Sequence, residues 1–436
     1  MGSGWLVVYL IAAGLALLQA ALVGMQAWEH RRFARSRLKA LPWCRPSGRA
    51  VLFVPCRGGD VGLEENLRHL FLQDYGDYQI HFILEDPDDP AWPIIHRVAA
   101  RHPRIVARVV FAGRARFSGQ KVHNLRMATL AIDPEVEYLT FVDADARPGP
   151  GWLRAMLARL DLQEAAAVTG YRWFVPERPS LANLILYSVN CGTTSLLGKK
   201  GPTYVWGGSW AIRRSTFQRV GLAEAWKGTL SDDLVAGRVL KHAGDRVAFE
   251  PAAMVGSPLD YDFRGMLSFL RRQYVIGRFY APGLWIFGLA MMTFANGMLL
   301  GSLAAALWGL VGGDGLWWVP ATVALLLYLA GVFRGVIRQD AALNYFPRLE
   351  GELRAARHFD VWAAPLSGLV AWLAMISSSV GRHITWRGIT YWLHAGGQIS
   401  PVDRTEGLPA PAADEPGQPL PAAIEIQPDR RYRKAG

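Results

Sequence analysis

Cysteine is nearly missing from this chain: Cys44, Cys56 and Cys191 are the only three among 436 residues. Their scatter, without metal-ligand spacing, excludes a disulfide framework and a zinc site and suits a reducing compartment. Charged residues are also sparse, at 19%, and no repeat of solenoid length occurs. The net charge of +11 gathers beside hydrophobic segments and not on a basic face interleaved with aromatics. That distribution argues against nucleic acid as a partner and for anionic lipid and membrane topology. The histidines have no second ligand at metal spacing, so His69, His96 and His123 read as structural or surface residues.

Apolar residues are what the chain has in excess, at 51%, more than an ordinary soluble protein carries. Trp5 to Trp28 holds no charge and is long enough to cross a bilayer core, with a tryptophan at each end as an interfacial anchor. It lacks a basic start and a cleavage site, so it is expected to be a retained anchor (residues 1–28). A basic linker (29–49) follows, with Arg31, Arg32, Arg35, Arg37 and Lys39 placing the next domain in the cytoplasm by the positive-inside rule.

From Ala50 onward, short apolar strands alternate with amphipathic helices, the pattern of an α/β domain with a mostly parallel sheet over residues 50–257. Strands are expected at 50–55, 78–84, 105–111, 138–142, 165–173 and 245–250. Helices are expected at 63–72, 93–101, 122–132, 152–160, 181–190 and 232–242. The most informative strand is Tyr138 to Val142, because it ends in Asp143 and Asp145, which project from one side of an extended backbone. A parallel strand opens its ligand site at its carboxyl end. Two carboxylates there suit a hard divalent cation that keeps positions for phosphate oxygens. Glu85-Asp86 with Asp88-Asp89, and Ser231-Asp232-Asp233 at a helix start, are two more acidic clusters that would converge on the same crevice. Capping by Asp88, Asp89 or Ser231 is the structural alternative for each.

Taken together, these stretches resemble the inverting nucleotide-sugar glycosyltransferases of processive-synthase type, and within them the ceramide glucosyltransferase branch. VPCRGGDVGLEENLRHLFLQDYGDYQIHFILEDPDDPAW resembles the opening strand, helix and first aspartate cluster of that branch. SGQKVHNL resembles its nucleotide loop, FVDADARP its second aspartate site, WGGSWAIRRSTFQRVGL its acceptor-side segment and LSDDLVAGRVLKHAG its third aspartate site. The resemblance implies a glycosyltransferase A-type, Rossmann-like α/β fold. It also implies that Pro55, Arg57, Asp86, Lys121 and Asp143 bind a UDP-sugar, and that Asp143 and Asp145 hold Mn2+ or Mg2+. Trp206, Gly207 and Gly208 would lie on the acceptor side. Asp233 would be the general base, with Asp232 as the competing choice, because the family motif puts the base second in its acidic pair.

The family's Arg-Trp diphosphate signature is altered here. Arg272 is followed by Val275 and Ile276, on an amphipathic basic helix expected at 258–280. Arg272, Gln273 and Arg278 are the candidates for that role, and a helix lying among lipid headgroups is the alternative. Two apolar stretches, 282–311 and 316–337, are of spanning length. A third, 360–380, is expected to be broken near Pro365 and to be re-entrant or interfacial. The segment after it resembles the Trp-Arg-Gly element of the branch. The membrane region is thus expected at 281–395 and a disordered Pro/Ala-rich tail at 396–436.

The expected whole is a multi-pass inner-membrane enzyme whose catalytic domain faces the cytoplasm. It would pass one sugar, glucose, from a UDP-sugar to a lipid hydroxyl in the bilayer, with ceramide, a diacylglycerol or a hopanoid as acceptor. A polysaccharide synthase and an inactive membrane scaffold are the competing readings.

Overall fold

A computed structural model of the chain describes residues 3–60, 62–130, 132–162, 165–199, 204–404 and 423–427. The chain divides into two compact units, an α/β unit (37–172, 202–258 and 381–436) and a helical unit (1–36, 173–201 and 259–380).

In the α/β unit, the strands of the main sheet up to residue 250 are β1 (Arg49–Pro55), β2 (Tyr78–Leu84), β3 (Val106–Phe111), β4 (Val136–Val142), β5 (Ala167–Thr169), β6 (Ser209–Arg213) and β7 (Val247–Phe249). Near the carboxyl end come β8 (His383–Trp386), β9 (Ile389–Trp392), β10 (Asp403–Arg404) and β11 (Ala423–Glu425). The main sheet has the order β11-β3-β2-β1-β4-β6-β5-β7. Its centre is parallel: β1 pairs with both β2 and β4, and β2 with β3. Every residue of β2 is buried, as expected of a central parallel strand covered on both faces, and Gln79 and His81 are carried inside among its apolar residues. Pairing of Phe53 with Phe141 and of Pro55 with Ile83 brings β1, β2 and β4 to an end at nearly the same level. The residues just past those ends, Arg57, Glu85, Asp86 and Asp143, therefore share one edge. Beneath that edge, Phe53 stacks on Phe141 (5.3 Å) and Phe141 on Trp210 (4.3 Å), so β1, β4 and β6 are locked by an aromatic row.

The α/β fold expected from the sequence is observed, with differences that have local causes. The apolar run at 165–173 does not stay one strand. At Gly170 the backbone lies so close to the Ala253 carbonyl that a Cβ there would collide with it, and β5 stops at Thr169. The segment after Gly208 forms a strand, β6, antiparallel to β4 and β5. Residues 383–404, counted by sequence with the membrane region and tail, form a three-stranded sheet, β8-β9-β10, of the α/β unit. The expected disordered tail also needs correction: β11 pairs with β3, and Ile426 is buried in the core beside it. Residues 405–422 and 428–436 of that tail lie outside the described residues.

In the helical unit, the expected anchor is the start of one unbroken helix, Ser3–Ala40. The basic linker continues it as far as Ala40 because its Arg, Lys, Ala and Leu residues are good helix formers. Arg31 and Arg35 pair with Asp340 at 3.2 and 2.9 Å. Among the described residues, three helices are long and apolar enough to cross a membrane, at Gly4–Trp43, Pro282–Val311 and Trp318–Tyr345, and they keep large apolar side chains such as Ile11, Leu22, Leu307 and Leu325 exposed. The third apolar stretch is broken, as expected. Arg354–Trp362 and Ala364–Ser377 meet at 80°, just ahead of Pro365, whose ring cannot continue the preceding helix. The basic amphipathic helix is Phe263–Tyr280, which buries Met266, Phe269 and Leu270 against Ile185 and Leu186.

Candidate active site

The site is built around Lys121. The Gln120–Leu130 helix begins at the residue before it, and its ammonium reaches Asp143 Oδ1 at 2.7 Å and Asp232 Oδ1 at 3.3 Å. It also donates to the Gly207 carbonyl at 3.4 Å. Four segments separate in sequence are thereby joined: the SGQK helix start, the end of β4, the WGG turn and the SDD helix start. Burial works against the lysine's charge, but Asp143, Asp232 and Asp233 outweigh it and hold the ammonium well above its ordinary range.

The two adjacent acids are placed differently. Asp232 is 3% exposed, and its carboxyl is pushed up to about 7 by burial, with Lys121 opposing and the charges of Asp233 and Asp143 adding. Its Oδ2 is buried without a hydrogen-bond partner. The ammonium lies closer to Asp143 than to Asp232, and it bridges the two carboxylates. Asp233 is half-buried and oriented from three sides. Its Oδ2 accepts from Gly207 N (2.9 Å), and its Oδ1 accepts from Leu234 N (2.7 Å) and the Ser231 hydroxyl (2.5 Å). Ser231 also caps the Asp232–His242 helix, as expected.

Gly207 and Gly208 leave no room for side chains. A Cβ at 207 would lie 2.7 Å from Asp232 Oδ2 and 2.9 Å from Lys121 Nζ, and one at 208 would lie 2.7 Å from Asp143 Oδ2 and strike the Trp206 ring. Trp206 is held by Tyr171, edge-on at 5.3 Å, and by the Arg172 guanidinium 5.5 Å from its ring centre. Arg172 was not read from the sequence as a site residue.

At the end of β2 the first acidic cluster divides its tasks. Glu85 is buried and faces Arg114 (3.2 Å) and Arg57 (3.8 Å). Asp89 accepts from Gly58 N and Ala91 N, both at 2.8 Å, and so ties the loop after β1 to a helix start, the structural role foreseen as an alternative. Asp86 stays half-buried, 3.8 Å from Arg114, with the Asp88 N–H on its Oδ1. Pro55 ends β1 and Arg57 lies two residues on.

No group of three or more His, Cys, Asp and Glu side chains converges as a metal site among the described residues. Asp143 and Asp145 supply two carboxylates. That pair fits an ion whose remaining positions are filled by phosphate oxygens and water. The Asp145 carboxyl is raised by desolvation and by the charge of Asp143. A bound cation would relieve the repulsion between the two carboxylates.

Arg272, Gln273 and Arg278 belong to the helical unit. There Arg278 donates to the Ser378 carbonyl (2.5 Å), closing the end of the Ala364–Ser377 helix, Arg272 lies 5.4 Å from the Phe269 ring centre, and Gln273 is exposed.

Fold and site together define an α/β protein with an acidic crevice at the carboxyl ends of parallel strands, the place where such sheets bind ligands. The model for glycosyl transferase family 21 matches residues 10–399, and the chain belongs to that family. It is similar to a mannosyltransferase from Pyrobaculum calidifontis solved in complex with GDP-Man and Mn2+, at 17% identity and a TM-score of 0.43, over 76% of this chain and 98% of that one. It is also similar to GalNAc-T7 solved with UDP, GalNAc and Mn2+, at 11% identity and a TM-score of 0.37, over 53% of this chain and 50% of that one.

Proposed function

We propose that this family 21 glycosyltransferase moves a single hexose, glucose, from a UDP-sugar to a hydroxyl of a ceramide-like membrane lipid, with inversion at the anomeric carbon. The observation that carries the reading is the Lys121 cluster, in which one ammonium gathers Asp143, Asp232 and the glycine turn while Asp233 is oriented beside them. Pro55, Arg57, Asp86, Lys121 and Asp143 bind the donor. Trp206, Gly207 and Gly208 border the acceptor.

Asp233 is the general base. A base must present an oxygen to the acceptor hydroxyl, and burial favours Asp233: Asp232 is closed off while Asp233 is half-open. Three donors fix the Asp233 carboxylate, so it need not reorganise when the hydroxyl arrives. The acceptor's proton passes to Asp233 as its oxygen bonds to the anomeric carbon. The bond from that carbon to the diphosphate breaks on the opposite face, releasing UDP. Mn2+ or Mg2+ held by Asp143 and Asp145 would offset the charge of the diphosphate.

The lipid acceptor is supported by the three helices of spanning length and by the amphipathic Phe263–Tyr280 helix, with Arg264, Arg271, Arg272 and Arg278 suited to headgroups. The spans and the positive-inside pattern support a cell-membrane location with the α/β unit in the cytoplasm.

The test is release of UDP by protein purified in detergent with Mn2+ or Mg2+, from UDP-glucose, UDP-galactose or UDP-N-acetylglucosamine, with and without ceramide, diacylglycerol or a hopanoid. Lipid-dependent turnover is expected. Asp233→Asn should abolish it and leave UDP binding intact, whereas Asp232→Asn should lower turnover by loosening Lys121. Binding of UDP without turnover under any pairing would favour an inactive scaffold.

A further inference from the structure

Arg387 has φ 50°, and among the described residues it is the single one other than glycine in the left-handed region. It is the first central residue of the two-residue turn between β8 and β9, with Gly388 (φ 75°) second and Trp386 paired to Ile389. This is the geometry of a type I′ turn, whose first position favours Asn, Asp or Gly. An arginine there is strained, and an observed outlier of this kind points to a role for the side chain.

The guanidinium bonds to the loop that follows β1. Nη1 donates to the Arg57 carbonyl and Nη2 pairs with Asp60. Stability does not explain this arrangement. The Arg387 and Asp60 side chains are 40% and 56% exposed, and exposed pairs add little to folding.

The same small sheet and its flanks hold two further edges of the crevice. The Tyr391 hydroxyl accepts from Gln120 N at 3.3 Å, one residue before Lys121, and Val402 N donates to the Arg116 carbonyl at 2.7 Å. Thr229 bridges to Gln398, and Ile399 N donates to the Gly228 carbonyl at 3.0 Å, just ahead of Ser231 and the acidic pair. Gly228 (φ 72°) has no room for a side chain there because Gln398 Oε1 fills the space.

We propose that Arg387 is a positioning residue for the nucleoside diphosphate donor: it fixes the Arg57–Asp60 loop so that Arg57 meets the donor, and the β8–β9 hairpin is the strap that completes the donor crevice. This inference rests on the nucleotide-sugar reading of the site. Arg387 acts through the loop and takes no part in the bond changes.

The full-length protein in detergent tests this with Arg387→Asn, which suits the turn, and Arg387→Lys, which keeps a charge. For Arg387→Asn, the donor KM and the dissociation constant of UDP with Mn2+ should each rise about tenfold, with kcat within about twofold. The melting temperature should hold or rise, because the strain is relieved. Arg387→Lys should recover part of the affinity. Unchanged UDP affinity in Arg387→Asn would overturn the proposal alone, and so would a fall in melting temperature that accompanies loss of both kcat and affinity. Absence of UDP binding by the wild-type protein would overturn the donor reading, and the proposal with it.

Discussion

Arg338 and Asp360 meet in a two-point ion pair, at 2.7 and 3.1 Å, with side-chain exposures of 4% and 0%. Asp360 also accepts from Ser188 (2.7 Å) and Gln339 (2.5 Å), and Gln339 in turn accepts from Tyr187 (2.6 Å). The network joins three helices of the helical unit, Leu181–Thr194, Trp318–Tyr345 and Arg354–Trp362. Removing one partner of a buried pair strands the other charge, at a cost of about 3–5 kcal/mol. Asp360→Ala should therefore lower the melting temperature in detergent sharply. The double change Arg338→Met with Asp360→Leu should restore part of the loss, since it leaves no unpaired charge.

The glycine turn gives a second expectation. Gly207→Ala and Gly208→Ala each place a methyl group against the carboxylates that Lys121 holds. Displacement of such groups by an ångström can cost about a hundredfold in rate. Turnover should fall by about that factor in each variant while the far-ultraviolet circular dichroism is preserved.

The parts of this site that the sequence made legible are those with a local signature. Asp143 and Asp145 follow a strand whose apolar run identifies it, and Ser231-Asp232-Asp233 reads as a helix start, which is how Ser231 behaves. Lys121 was recognisable only by family resemblance, because its environment is made by contacts with Asp143 and Asp232. Arg172 and Arg387 carry no local signal at all, since the one is defined by a tryptophan 34 positions away and the other by a loop more than 300 positions away. β6 was missed because SWAIR is short and follows glycines, and the β8–β9 hairpin because its four-residue strands follow a membrane segment.

His81 predicts how the α/β unit responds to acid. It lies in the middle of β2, fully buried, with neither ring nitrogen hydrogen-bonded. Burial lowers its pKa to about 4, Arg108 adds to the shift, and Asp133 opposes it. The unfolded chain binds a proton there near pH 6.5 and the folded protein does not. Stability is therefore full above about pH 6.5 and declines as the pH falls towards 4, by about 3 kcal/mol at most. His81→Leu should flatten the dependence of melting temperature on pH between 7 and 5, and it should not destabilise the protein at pH 7, because an unpaired buried polar ring is removed.

The β11 strand covers what would otherwise be the free edge of β3. Ending the chain after Arg404 removes that cover together with Ile426, whose N–H bonds to the Ala107 carbonyl at 2.9 Å. An exposed edge of this kind templates association between molecules. The shortened protein should keep lipid-dependent turnover but form aggregates at a lower temperature than the full chain, as measured by light scattering during a thermal ramp.

The residues of β8 to β10 are encoded after the helices of spanning length, yet they fasten loops of a domain whose strands β1 to β7 emerge from the ribosome much earlier. The loop at Arg57 and the helix starts that carry Lys121 and the acidic pair therefore gain their contacts with Arg387, Tyr391 and Ile399 only after the strands that position them have been made.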